Sequence, residues 1–171
     1  MPMTRKVVKP VIYTWGLNSS GQLGLGDEKN RNRPEMVQKV WNATEIRMGG
    51  EFTIAFVKSI KRTFSWDSSR YGQLGNGDLY DRNSPREIRT LRGQEIRALC
   101  CGSRHSIALT NIGLFAWGDG RVGQLGNGTK RVRVVPFRVV SDGDSTKKKD
   151  QEEGFDYTQV QCVFASGDST G

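Results

Sequence analysis

The chain is poor in the residues from which most catalytic and disulfide-stapled sites are built. It has one histidine, His105, in 171 residues. A single imidazole leaves no Ser–His–acid set, no Cys–His pair with an orienting partner and no histidine-bearing metal cluster to draw. The three cysteines are Cys100, Cys101 and Cys162. Two adjacent and one distant cysteine match neither a disulfide framework nor a zinc spacing. They read as reduced apolar fillers, as expected of a cytosolic or nuclear protein. No run of about 18 apolar residues is present, so no membrane span is expected, and no secretory hydrophobic stretch is seen. Helical spacing of apolar residues is also missing over any three turns. The expectation is therefore no catalytic residue, no metal and no cofactor.

What the chain does have is glycine, and glycine in register. There are 21 glycines, which accounts for much of the low hydrophobic share of 35%. Gly-Gln-Leu-Gly occurs at Gly21–Gly24, Gly72–Gly75 and Gly123–Gly126, with 51 residues between copies both times. A tryptophan stands six residues before each copy: Trp15, Trp66 and Trp117. Equal spacing of this kind means one supersecondary unit used three times. In the third copy Leu114–Trp117 and Val134–Val140 read as strands, with Pro136 pointing to an edge position. Val160–Ala165 reads as a further strand, and Ser106–Thr110 supplies the fourth type. About four short strands per fifty residues is the pattern of a β-propeller blade. A blade cannot bury both faces alone, so blades must stack.

The repeated residues then have structural work to do. Leu23, Leu74 and Leu125 are expected as core plugs, and Gln22, Gln73 and Gln124 as partners for turn backbone groups. The flanking Gly21, Gly24, Gly72, Gly75, Gly123 and Gly126 belong to the sharp turns. Two phosphate-loop look-alikes, Gly118–Gly123 and Gly123–Lys130, fall inside these turns and lack the following helix. Asn18, Asn42 and Asn127 begin glycosylation-type triplets and read as turn residues.

Trp15-Gly16…Gly21–Gly26 followed by Pro34 and Trp117-Gly118…Gly123–Gly128 followed by Pro136, with Gly102-Ser103-Arg104-His105-Ser106-Ile107-Ala108-Leu109, resemble the regulator-of-chromosome-condensation repeat. The second copy departs from it, with Trp66-Asp67 where the family prefers Trp-Gly. The first departs at Phe52, where His is usual. The resemblance covers residues 11–171 and implies an all-β, partial and open β-propeller of about three four-stranded blades, a fragment of a seven-bladed ring. The repeats fall at about 11–61, 62–112 and 113–171, the last incomplete. If the chain were complete, open edge strands would favour self-association.

Residues 1–10 form a basic tail carrying Arg5, Lys6 and Lys9. A polar insertion at 141–157 lengthens the third repeat and is expected as an exposed loop. Net charge is +8. Basic residues gather at Lys130, Arg131 and Arg133, at Arg82, Arg86, Arg89 and Arg92, and at Lys147, Lys148 and Lys149. Such a surface suits an acidic partner, and the absence of interleaved aromatics argues against base reading.

The function implied is a non-catalytic protein–protein interaction scaffold. The family's founding members carry a narrower version, guanine-nucleotide exchange on a Ran-like small GTPase. Their Gly-Asp-x-His turns contribute acids and histidines, which maps here onto Glu51, His105 and Asp168. The alternative is a chromatin- or nucleosome-binding protein that uses the basic loops. Both fit a cytoplasmic or nuclear location. Light-sensing members of the family cluster tryptophans in Gly-Trp-Arg-His-Thr turns; the turns at Gly49–Phe52 and Gly102–His105 carry none.

Overall fold

A computed structural model of the chain describes residues 10–140, 160–161 and 163–165. These residues form ten β-strands and three single-turn 3-10 helices, with no α-helix among them. The strands are β1 (Tyr13–Gly16), β2 (Arg31–Met36), β3 (Glu45–Met48), β4 (Phe52–Val57), β5 (Arg62–Asp67), β6 (Arg82–Glu87), β7 (Ile96–Cys101), β8 (His105–Thr110), β9 (Leu114–Gly118) and β10 (Arg133–Arg138). They make three antiparallel sheets: β1-β2, β3-β4-β5-β6 and β7-β8-β9-β10. The chain is an open, partial β-propeller.

The sheets are out of phase with the sequence repeats. The second sheet takes β3 and β4 from the end of one repeat and β5 and β6 from the start of the next. The tight connection at Lys58–Lys61, with Lys61 left-handed at φ 48°, is what pairs β4 with β5 in full register from Phe52–Asp67 to Val57–Arg62. Each sheet's last strand, β2, β6 and β10, is an edge strand and carries one proline, Pro34, Pro85 or Pro136. Proline is tolerated there because its missing N–H faces no partner.

A register shift recurs at each tryptophan. It falls between Thr14 and Gly16, between Ser65 and Asp67, and opposite Ala116–Gly118 in the third sheet. The residue after each tryptophan has positive φ: Gly16 at 102°, Asp67 at 86° and Gly118 at 100°. This bulge turns the indole out of its own ladder and toward the preceding repeat.

Two apolar clusters lie between the sheets. Val37, Val40, Ala43, Ala55, Val57 and Trp66 pack between the first and second. Phe52, Ile54, Phe56, Leu74, Ile88, Leu91, Leu99, Phe115 and Trp117 belong to the cluster between the second and third. Burial of this apolar surface is the main driving term, about 25 cal/mol per Å².

The Gly-Gln-Leu-Gly turns repeat to the atom. Ser20, Tyr71 and Val122 each donate a backbone N–H to the glutamine two residues on, Gln22, Gln73 or Gln124. The glycines close consecutive turns, Gly24 to Gly21, Gly75 to Gly72 and Gly126 to Gly123. Leu23, Leu74 and Leu125 are buried. The segment read from sequence as a strand at Val160–Ala165 has no ladder among its described residues. A strand exists only through a partner, and in the complete sheets that partner is the strand that follows, β4 for β3 and β8 for β7.

Candidate functional site

One end of the second and third sheets gathers polar side chains that the core does not need. The β3–β4 connection brings Glu51, the end of β5 brings Asp67, Ser68, Arg70 and Tyr71, the β7–β8 connection brings Arg104, and the end of β9 brings Asp119 and Arg121. Backbone bonds tie these connections together. Gly50 N donates to Ser103 O at 3.2 Å, Ser68 N to Glu51 O at 2.9 Å and Asp119 N to Arg104 O at 2.8 Å.

Two adjoining clefts open on this end and share Gly50, Glu51 and Arg70. The first, of about 330 Å³, is walled by Glu51, Asp67 and Asp81. Asp67 occupies the left-handed position that glycine holds in the other two repeats, a placement that costs an L-residue about 1–2 kcal/mol. Burial pushes its carboxyl up to about 6, and the charges of Glu51 and Asp81 push it in the same direction. Asp81 is engaged with the backbone N–H of Ser69 at 2.7 Å.

The second cleft, of about 320 Å³, is walled by Tyr71, Gln73, Ser103 and Arg104. The guanidinium groups of Arg104 and Arg121 lie on the Tyr71 ring at 4.7 and 4.8 Å from its centroid. Arg121 also grips Asp119 with two bonds, of 2.9 and 2.7 Å. Those bonds hold the buried Asp119 carboxyl below the usual range, against the opposing effect of burial. The site thus offers an acidic wall for a cation beside an arginine–tyrosine stack for a carboxylate or an aromatic face. No group of three or more His, Cys, Asp and Glu among the described residues is placed to hold a metal ion.

The sequence-derived candidates are dispersed in the structure. Glu51 is exposed and lines both clefts. His105 does not reach that surface: it is buried, 4% exposed, at the start of β8, where the first repeat has the equally buried Phe52. Asp168, Lys147, Lys148, Lys149 and residues 1–9 lie outside the described residues. Lys130, Arg131 and Arg133 are exposed on the approach to and start of β10, where Arg133 is the register partner of Gly118, the residue before Asp119. In the first two repeats the residue matching Arg133 is neutralised: Arg31 pairs with Asp27 at 2.8 Å and Arg82 with Asp78 at 2.6 Å. Thr129 replaces that acid in the third repeat, and Arg133 has no acid partner among the described residues. Arg133 lies instead over the Phe137 ring, 5.3 Å from its centroid.

The tryptophans complete the picture. Trp66 Nε1 donates to Gln22 O at 3.1 Å, and Trp117 Nε1 donates to Gln73 O at 2.8 Å. Each therefore clasps the Gly-Gln-Leu-Gly turn of the repeat before it. The family model of the regulator of chromosome condensation (RCC1) repeat matches residues 11–56, 62–109 and 113–162. The chain belongs to the RCC1 repeat family.

The chain is 34% identical to human "Probable E3 ubiquitin-protein ligase HERC3" over 155 residues, which is 88% of this chain and 14% of that protein. It is 33% identical to the Ultraviolet-B receptor UVR8 of Arabidopsis thaliana over 132 residues, 75% of this chain and 30% of that protein. The crystal structure of Prp20p from Saccharomyces cerevisiae, described with its binding properties to Gsp1p and histones, superposes with a TM-score of 0.61 at 26% identity. That superposition covers 83% of this chain and 36% of Prp20p. The chain thus spans well under half the length of each of these RCC1-repeat proteins. The residues sequence reading missed, Asp67, Tyr71 and Arg121, had one visible signal: Asp67 breaks the Trp-Gly pattern.

Proposed function

We propose that this RCC1-repeat chain is a non-catalytic scaffold that docks a partner protein on its turn end. The observation that carries the reading is the pairing of the Glu51–Asp67–Asp81 wall with the Arg104–Tyr71–Arg121 stack. Opposite charges side by side on a rigid sheet end give orientation and discrimination more than raw affinity. Arginine and tyrosine are also the residue types that carry binding energy at interfaces. A photoreactive side chain placed at Arg70 should cross-link one defined protein, and Arg104→Glu should abolish that product. Equal cross-linking from Ser59, at the opposite end of the second sheet, would refute the reading.

The narrower form is nucleotide exchange on a Ran-like small GTPase. Its support is the likeness to Prp20p and the exposure of Glu51 among the three family-derived positions. The mechanism would be stabilisation of the nucleotide-free GTPase, with no bond chemistry. Acceleration of labelled-GDP release that Glu51→Arg removes is the expected result. Release at the spontaneous rate would end this form while leaving the scaffold reading standing.

A second reading, binding to nucleosomes or another acidic surface, rests on Lys130, Arg131 and Arg133, the last with no acid partner among the described residues. It predicts affinity that falls steeply with salt and weakens when these three are replaced by glutamine. Salt-independent binding would count against it.

A further inference from the structure

The chain pairs most of its acids. Asp27, Asp78, Glu87 and Asp119 each hold an arginine at 2.6 to 2.8 Å. Glu35 and Glu45 hold arginines too, and Glu95 holds Lys58. Among the described residues only Glu28, Glu51, Asp67 and Asp81 form no ion pair. The last three line the same cleft of about 330 Å³. Bringing carboxylates together without a counter-charge makes each harder to ionise.

Two buried groups beneath this wall lack what burial normally demands. Asp67 is 8% exposed and stands where the other repeats have Gly16 and Gly118, so neither its backbone nor its surroundings favour a carboxylate. Ser68 lines the cleft as well, is 6% exposed, and its Oγ has no hydrogen-bond partner among the described residues. A buried hydroxyl in that condition is rare and calls for an explanation. Arg70 lines the cleft without pairing to its acids, and its one charge leaves the three carboxylates in excess. The bonds from Ser68 N to Glu51 O and from Gly50 N to Ser103 O tie the connections that carry these groups, so the acceptors are held in place before any ligand arrives.

Three carboxylates and a hydroxyl, spread over the β3–β4 connection, the end of β5 and the approach to β6, suit a cation that offers several N–H donors. The acids are not placed to hold a metal ion. A guanidinium has five donors, keeps its charge and is more weakly hydrated than an ammonium. We propose that this cleft seats one arginine side chain of the partner that docks on the turn end, with Glu51 and Asp67 pairing to the guanidinium and the Ser68 hydroxyl accepting a further N–H. The assignment rests on the docking reading above and deepens it. The charged groups that face Asp67 are Glu51, Asp81 and Arg70. An arriving guanidinium favours the ionised carboxylate, so binding should be tighter above about pH 6 than below it.

Amide chemical shifts of the isotope-labelled full chain, titrated with a blocked glycine–arginine–glycine peptide at neutral pH, test this. Saturable shifts should centre on Glu51, Ser68 and Asp81, and the uncharged citrulline peptide should cause none. Asp67→Asn and Glu51→Gln should each weaken binding by about tenfold, while Glu28→Gln, at the unpaired acid outside the cleft, should leave it unchanged. Wild-type affinity should fall by about three- to tenfold from about pH 7 to about pH 5, and the Asp67→Asn chain should lose most of that dependence. Absence of saturable shifts, citrulline shifts equal to those of arginine, or an Asp67→Asn chain that binds like wild type overturns the proposal. No partner enters this titration, so its failure is separable from failure of the docking reading. A chain that cross-links from Arg70 yet ignores the peptide loses the arginine assignment and keeps that reading.

Discussion

Replacing Gly75 by alanine should destabilise the fold far more than replacing Gly126 by alanine, although both glycines sit at the same position of the same turn. Both have positive φ, 68° and 64°, so the left-handed strain of about 1–2 kcal/mol is common to the two variants and cancels in the comparison. The difference lies in what the new methyl meets. At Gly75 it would stand 2.8 Å from Trp117 Nε1, 3.0 Å from its Cδ1 and 3.1 Å from Pro136 Cδ. Trp117 is fully buried and cannot retreat without moving the apolar cluster around it. Overpacking of this kind costs about 1–3 kcal/mol. Displacing the indole also breaks its 2.8 Å bond to Gln73 O and strands a buried donor, at about 1–3 kcal/mol. The two effects overlap, so Gly75→Ala should exceed Gly126→Ala by about 2–4 kcal/mol. Urea unfolding at protein concentrations where the chain is monomeric gives both values from midpoints at constant m. Equal losses for the two variants would refute the idea that the tryptophan clasp holds neighbouring repeats together.

Three further outcomes follow from the site. Asp67→Gly should stabilise the chain at neutral pH by about 1–3 kcal/mol, since it removes a left-handed L-residue and a carboxylate that resists ionising. The folded state holds the Asp67 proton more tightly than the unfolded chain, so wild-type stability should fall as pH rises from 3.8 to about 6, and the variant should lose that slope in urea titrations. Arg121→Ala should cost about 1–3 kcal/mol at neutral pH by removing the two guanidinium bonds to the buried Asp119 carboxylate and leaving it the backbone N–H of residue 121. Asp119 titrates below its ordinary range in the folded chain, so that loss should shrink in acid, as thermal unfolding across pH would show. Trp117→Phe should cost about 1–2 kcal/mol at equilibrium, by leaving Gln73 O with only its weaker bond from Ser106 Oγ.

The turns were legible in the sequence because their residues are chosen by backbone conformation. Gly21, Gly24, Gly72 and Gly75 are fixed by positive φ, and Gln22, Gln73 and Gln124 by the backbone N–H each accepts. A period, however, carries length and no phase. The sheets straddle the repeats because the short turn after Val57 pairs β4 with β5, and that pairing is invisible in the 51-residue spacing. Val160–Ala165 has strand-like composition but no ladder among its described residues, since composition cannot supply a partner. The family resemblance alone set His105 among the GTPase-facing positions; at the start of β8 it is buried, as Phe52 is at the start of β4. The Arg104–Tyr71–Arg121 stack joins residues from two repeats through the β7–β8 and β9 ends, a proximity that only the fold creates. The loss of the acid opposite Arg133, by contrast, could be read directly from Asp27, Asp78 and Thr129 in register.

The most direct test is hydrogen exchange at the three repeat tryptophans, followed through their indole N–H signals in an isotope-labelled, monomeric chain. The account predicts that Trp66 and Trp117 exchange only through large-scale opening, because each is clasped to the turn before it, while Trp15 exchanges at the rate of a free side chain. Three indoles exchanging alike, or a Trp15 as protected as Trp117, would contradict it.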